Sequence, residues 1–348
     1  MHGGEGVTAY VIDTGINIKH VEFEGRARWG KTIPQNDVDE DGNGHGTHCA
    51  GTIASAKYGV AKKAELVAVK VLGSGGSGSM ADVVGGVLWA VEDAKKATKA
   101  MAMNPSSTKA QKHKGFVANM SLGGGKSPSL DKAVNGAVTS GMHFGVAAGN
   151  ENQDACNVSP AGASNPITVG ASTLNDLRAS FSNVGKCVDV FAPGLNILST
   201  WNTGNQSTNT ISGTSMASPH VVGMLAYLLS IYGSKEFATV ADALPSGHPA
   251  GQDAGLLSFQ DYTSSLASKI QNILPAPAFV LDVIGSLFGK SENQVLIAPT
   301  PKDPGIGSVL HPTDMKKALL KLATPNKLEE VNGSPNLLIF NNATKSSP

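Results

Sequence analysis

The chain has 348 residues with 27 Lys+Arg against 27 Asp+Glu, so no net charge draws it to nucleic acid or to a charged membrane. Hydrophobic residues make up 41% and charged residues 16%, which supports a sizeable core and excludes wholesale disorder; 41 glycines without a G-X-Y period exclude collagen and call for many tight turns. Three cysteines, Cys49, Cys156 and Cys187, allow one bridge at most, and the absence of a C-x-x-C pair excludes the usual zinc and redox motifs.

Apolar runs of strand length stand at 7–12, 66–72, 116–120, 144–148, 167–170 and 188–191, most of them followed by Gly, Asp or Asn. Helical patterns lie between several of them. One runs through 50–56 behind a glycine-rich loop. A second, 82–99, places Val83, Val84, Val87, Leu88 and Val91 on one face and Glu92, Lys95, Lys96 and Lys99 on the other. A third is predicted at 129–140, and a fourth at 215–232 is almost wholly apolar and hence central. Strands buried on both faces that alternate with helices predict an α/β fold with a doubly wound, mostly parallel sheet and helices on both faces. Six lysines between 95 and 114 read as a solvated loop after a helix rather than a polyanion site.

After residue 233 the texture changes. Residues 234–307 are rich in Ser, Pro, Gly and Ala, with weak amphipathic stretches at 262–273 and 279–288, and read as a surface insertion. A coherent helical face returns at 312–323 and a strand-like run at 337–340, so one domain is expected over 1–342, interrupted by the insertion and followed by a tail at 343–348. The longest apolar candidate for a membrane span, 276–288, is short and carries Pro277 and Asp282. The first residues show neither a basic n-region nor an apolar h-region.

Sheets of this kind put chemistry at the carboxyl ends of their strands. Asp13 ends the first run in Val11-Ile12-Asp13-Thr14-Gly15, Ser121 follows another in Met120-Ser121-Leu122-Gly123, and Asn150 follows Ala147-Ala148-Gly149. His45 lies in Gly44-His45-Gly46-Thr47-His48 at a helix start, and Ser215 in Gly213-Thr214-Ser215-Met216-Ala217 at another. A metal set of His45, His48 and Cys49 would lack the glutamate of H-E-x-x-H and space its histidines wrongly. Alone, His45 would read as a capping or core histidine and Ser215 as an N-cap. Together with Asp13 they read differently. A serine hydroxyl is a weak nucleophile until a histidine takes its proton, and a buried carboxylate must orient that histidine and stabilise its imidazolium. The order Asp13, His45, Ser215 and the G-x-S-x-A turn set the chain apart from α/β-hydrolases, which run Ser, Asp, His with G-x-S-x-G.

These three segments resemble the subtilisin-like serine proteases, over about the first 230 residues and the last 35. The likeness is greatest to the proteinase K group and its fungal vacuolar, cerevisin-like members. It implies a serine endopeptidase acting on polypeptides through an acyl-enzyme, with Asn150 as side-chain oxyanion donor beside the backbone N–H of Ser215. It makes 76–80 and 121–123 two extended edges, in which Gly76, Met80, Ser121, Leu122 and Gly123 hold a peptide as an added strand. Ala147, Ala148 and Gly149 would wall the S1 pocket and Met80 would help form S4. Such small residues, with no obvious pocket charge, suggest a broad apolar or aromatic P1 preference. The resemblance also pairs Cys156 with Cys187, leaves Cys49 as a packed free thiol, and places a structural calcium on the carbonyls of Ser164 and Pro166 and the carboxylate of Asp189. No cofactor is implied for catalysis. Asp13 stands closer to the start than in typical mature members, so the N-terminus is expected to be truncated and the family's inhibitory propeptide, its expected partner, to be missing. A monomer, secreted or vacuolar, is expected, and sequons at Asn157, Asn205, Asn332 and Asn342 suit export. The alternative is a catalytically silent homologue that uses the same groove to bind peptide.

Overall fold

The computed structural model describes residues 3–232 and 310–339. The expected insertion at 234–307, Phe340 and the tail at 343–348 lie outside the described residues. In chain order the strands are β1 (Val7–Asp13), β2 (Ala27–Thr32), β3 (Glu65–Lys70), β4 (Gly115–Met120), β5 (Gly124–Gly125), β6 (His143–Ala147), β7 (Val158–Ser159), β8 (Ile167–Ser172), β9 (Val190–Pro193), β10 (Ile197–Thr200), β11 (Thr208–Ile211), β12 (Thr324–Pro325) and β13 (Leu337–Leu338). The helices are α1 (His45–Ala54), α2 (Met80–Met103), α3 (Thr108–Lys112), α4 (Pro128–Thr139), α5 (Thr214–Ile231) and α6 (Pro312–Leu322).

Nine strands form the main sheet in the order β12-β13-β9-β8-β6-β4-β1-β3-β2, and every pairing in it is parallel except β12 with β13. The predicted doubly wound α/β fold is the observed one. Alternate residues of the strands face opposite helical layers. Val7, Ala9 and Val11 belong to the core that contains Cys49, Ile53, Val221, Leu225 and Leu229 of α1 and α5. On the other face, Gly86 of α2 comes so close to Ile12, Val69 and Val71 that a methyl group there would lie 2.2 Å from the Val71 side chain. The register Val11↔Asn119 and Met120↔Val146 brings the carboxyl ends of β1, β4 and β6 side by side, with β1 next to β3 through Asp13↔Lys70.

Two features differ from expectation. The lysine-rich stretch after residue 95 is not a loop: α2 continues through it to Met103, and α3 follows. Its alanines favour helix, and Met101 and Ala110 are buried against the fold while the lysines point outward, Lys96 to Glu92, Lys109 to Glu65 and Lys112 to Glu5. The edge strand β2 escaped the sequence reading because Arg28 and Lys31 break the apolar run that interior strands show. By length and composition α5 could cross a membrane, but 72% of it is buried in the fold, and among the described residues no other helix qualifies.

Candidate active site

Asp13 is the last residue of β1 and His45 the first of α1, and the two meet at the carboxyl rim of the sheet. Asp13 Oδ1 lies 2.8 Å from His45 Nδ1 and accepts the Thr14 N–H at 2.7 Å. A carboxylate only accepts, so Nδ1 carries the ring proton and Nε2 keeps a lone pair that can act as a base. Asp13 is fully buried and its Oδ2 has no hydrogen-bond partner among the described residues, so its charge is concentrated on the imidazole. Burial of the ring is the largest influence and opposes protonation, but attraction and hydrogen bonding to Asp13, with Cys49 acting in the same direction, hold the His45 pKa well above the usual 6.5. Cys49 Sγ is 4.0 Å from Nδ1, and burial pushes its own thiol pKa up.

A residue that the sequence reading passed over, Asp41, holds this pair together. Its Oδ1 accepts from Thr14 Oγ1 at 2.9 Å, Gly44 N at 2.8 Å and Asn43 N at 3.1 Å; its Oδ2 accepts from Thr47 N at 2.9 Å and Thr47 Oγ1 at 2.6 Å. Thr14 Oγ1 in turn accepts the Gly46 N–H at 2.9 Å, so the loops after β1 and before α1 are bound into one unit. They touch backbone to backbone: a Cβ at position 46 would lie 2.1 Å from the Gly15 carbonyl, which explains the glycine after His45. Below them the fully buried Lys70 donates to the Thr14 carbonyl at 3.1 Å and pairs with Asp37 at 3.4 Å.

Ser215 is the second residue of α5 and Asn150 follows β6. Asn150 Oδ1 accepts both the Thr214 N–H at 2.8 Å and the Thr214 hydroxyl at 2.9 Å, which fixes which end of the amide is oxygen and leaves Nδ2 as a free donor edge. Thr214 Oγ1 also accepts the Gly149 N–H at 3.1 Å, so one threonine ties Asn150 to the serine turn. The Ser215 hydroxyl donates to the Ser121 carbonyl at 3.1 Å. In return the Ser121 hydroxyl donates to the Ser215 carbonyl at 2.7 Å, and the Cys49 thiol reaches the same oxygen at 3.4 Å. Pro219 makes that possible: four residues after Ser215 and lacking an N–H, it cannot satisfy the Ser215 carbonyl within the helix.

Two cavities flank the serine. The first, about 400 Å³, is lined by Leu122, Gly123, Ala147, Gly149, Asn150, Glu151 and Ser215, among others. The second, about 390 Å³, is lined by His45, Gly76, Met80, Ser121, Leu122 and Leu130, among others. Gly76 and Ser77, like 121–123, are outside any strand, whereas β5 just beyond pairs with β7; the Gly76 N–H donates to the Gly73 carbonyl, the Ser77 carbonyl accepts the Gly73 N–H, and the Ser121 carbonyl accepts from the Ser215 hydroxyl. Two of the expected pocket features need correction. Ala148 does not line the first cavity: it is fully buried beside Val188 and Phe191, and its carbonyl accepts from Asn183 Nδ2 at 2.9 Å. The pocket also does carry a charged group, since Glu151 lines it with a carboxylate that accepts from Asn183 Nδ2 at 2.9 Å.

Cys156 and Cys187 form a disulfide, and Cys49 is free and buried. His48 turns away from His45 toward the Ile197 carbonyl at 2.9 Å, and burial lowers its pKa to about 4, so it completes no metal set with His45 and Cys49. The oxygens expected to hold calcium do converge, but on a side chain. Lys316 Nζ lies 2.7 Å from the Pro166 carbonyl, 2.8 Å from Asp189 Oδ2 and 3.4 Å from the Ser164 carbonyl. An ammonium at the centre of the set leaves no place for a calcium ion, so these residues do not fit the metal.

Comparison with known proteins agrees with this geometry. The profile described as the Subtilase family matches residues 4–261. Alkaline protease 2 of Aspergillus fumigatus is 66% identical over 272 residues, which are 78% of this chain and 54% of that protein. A subtilisin-like serine protease of Rhodotorula mucilaginosa, Rho m 2.0101, is 59% identical over 277 residues, 78% of this chain and 77% of that protein. The chain spans about half the length of the first of these relatives. Among solved structures, a cold adapted subtilisin-like serine proteinase is 36% identical with a TM-score of 0.66, over 98% of this chain and 91% of that one.

Proposed function

The chain belongs to the subtilase family, and on that premise we propose that it is a serine endopeptidase. The observation that carries the reading is the Asp13–His45 pair at 2.8 Å, its carboxylate fully buried, together with a serine in the first turn of an apolar helix. Ser215 Oγ leaves the Ser121 carbonyl, gives its proton to His45 Nε2 and attacks the peptide carbonyl. The oxyanion receives the Ser215 N–H and Asn150 Nδ2, donors fixed before the reaction begins. His45 then hands the proton to the leaving amine, and water repeats the sequence on the acyl-enzyme.

Substrate backbone adds as a strand between Gly76–Gly78 and Ser121–Gly123, with the P1 side chain in the first cavity and Met80 bordering the second. The small walls favour apolar or aromatic P1 residues. Glu151 adds tolerance for lysine there, which Glu151→Gln should remove while leaving cleavage after phenylalanine unchanged. The disulfide supports an oxidising location, either secreted or vacuolar. A monomer with an inhibitory segment laid along the same two edges completes the proposal.

Covalent labelling with a fluorophosphonate tests the chemistry, because only an activated serine reacts. Labelling of the full chain and its loss in Ser215→Ala is the expected result. A chain that binds peptides in the cleft yet resists the reagent is the silent homologue instead.

A further inference from the structure

The calcium set that family membership suggested is engaged by Lys316, and the way it is built gives the lysine a purpose. The Ser164 and Pro166 carbonyls stand just before β8, and Asp189 just before β9, at adjacent amino ends of paired parallel strands. Backbone already fixes the carboxylate: Asp189 Oδ2 accepts the Thr168 N–H at 2.8 Å, and Asp189 N donates to the Thr168 carbonyl at 2.9 Å. Three oxygens are thus presented whether or not a cation is present. Lys316 reaches them from α6, whose Met315, Ala318 and Leu319 are buried, so its stem starts from a position set by packing. An ammonium has three N–H donors, and this one faces three acceptors. Calcium needs the same oxygens at about 2.3–2.6 Å, so the two cations exclude each other by space and by charge.

We propose that Lys316 is a built-in substitute for a divalent cation, tying α6 to the starts of β8 and β9 and making this part of the fold independent of calcium. The converse is that removing the ammonium uncovers a calcium site. Neither statement depends on the peptidase reading, and the test uses a Ser215→Ala background so that self-cleavage cannot distort it.

Thermal unfolding would be followed in excess chelator and in millimolar calcium for the full chain, Lys316→Ala, Asp189→Asn and the double variant. In the full chain, any calcium effect should be the same with and without Asp189→Asn. Lys316→Ala should melt about 2–6 °C lower in chelator, recover in calcium, and lose that recovery when Asp189→Asn is added. Calorimetric titration with calcium chloride should show a site in Lys316→Ala that the full chain lacks. Lys316→Met, which keeps the aliphatic stem, serves the same comparison if the alanine variant fails to fold. A calcium-induced rise in the full chain that Asp189→Asn abolishes would overturn the proposal. So would Lys316 variants that gain nothing from calcium, since the lysine would then be an ordinary ion pair near the surface, its side chain 19% exposed.

Discussion

The helices that begin at a catalytic residue and those that do not start in different ways. α2, α3 and α4 open on serine caps: Ser79 accepts the Asp82 N–H at 3.0 Å, Ser107 that of Ala110 at 3.2 Å and Ser127 that of Leu130 at 3.4 Å. α1 and α5 open on Gly44 and Gly213, with no side-chain cap. At α1 the open donors are met from outside, His45 N by Asn43 at 3.2 Å and Thr47 N by Asp41 at 2.9 Å. At α5 Asn150 takes the Thr214 N–H, and Ser215 N, second in the helix, has no acceptor one turn earlier within it. A cap would spend on stability the donor that an oxyanion needs. Substitutions at the two kinds of helix start should therefore separate, the one kind appearing in rate and the other in stability.

The largest effect is expected at Asp13. Asp13→Asn should lower kcat/KM by about 10⁴-fold, the size known for the acid of subtilisin-type triads, because an amide no longer holds the Nδ1–H tautomer or balances the imidazolium. The pH profile supplies an independent check. Activity needs neutral His45, whose pKa the carboxylate holds above 6.5, so the wild-type rate should rise as pH increases through that raised value. In Asp13→Asn the limb should move to lower pH. Stability runs the other way: the Asp13–His45⁺ pair stabilises the fold fully below the unfolded pKa, and that contribution is lost as pH rises through the folded one. An acidic limb that does not move would detach Asp13 from His45.

Next is Asn150→Ala, expected to reduce kcat about 10²–10³-fold with little change in KM, a magnitude known from subtilisin itself. A change confined to KM would make Asn150 a contact to the ground-state substrate.

The parts of this machinery differ in how far the sequence showed them. The interior strands and α5 were visible because burial on both sides demands unbroken apolar runs, and the triad because each member ends or begins such a run. Asp41 and Thr214 were not, since their work lies in hydrogen bonds to backbone N–H groups that no side-chain pattern records. Glu151 carries no signal of its own in the sequence, and only the fold turns it into a cavity. Ala148 follows the same strand as Ala147, and strand alternation sends it to the other side. Lys316 is 127 residues from Asp189 in the chain, and only the packing of α6 brings the two together.

Thr214 sharpens the comparison at α5 itself. Thr214→Val keeps the shape and the backbone N–H but removes the hydroxyl that holds both Asn150 Oδ1 and Gly149 N. A fall in kcat of about tenfold is expected, the size of one modest hydrogen bond of about 1.4 kcal/mol. Combined with Asn150→Ala it should add almost nothing, because the threonine acts through the amide. Additive losses would mean that Thr214 supports the serine turn directly.

The smallest effect lies away from the chemistry. Ser79→Ala removes the cap of α2, where Ser79 Oγ accepts from Asp82 N and donates to Asp82 Oδ2 at 2.6 Å. The cost should be about 1 kcal/mol, or about 2–4 °C in melting temperature, since a free donor at an exposed helix end falls back on water. Met80, the first residue of α2, borders the second cavity, so the substrate chosen decides what the measurement means. With peptides too short to reach Met80, kcat and KM should match wild type, and the melting shift alone reports the cap. A rate loss with those short peptides would show that α2 transmits its start to the triad, and the division between helices that serve rate and helices that serve stability would fail.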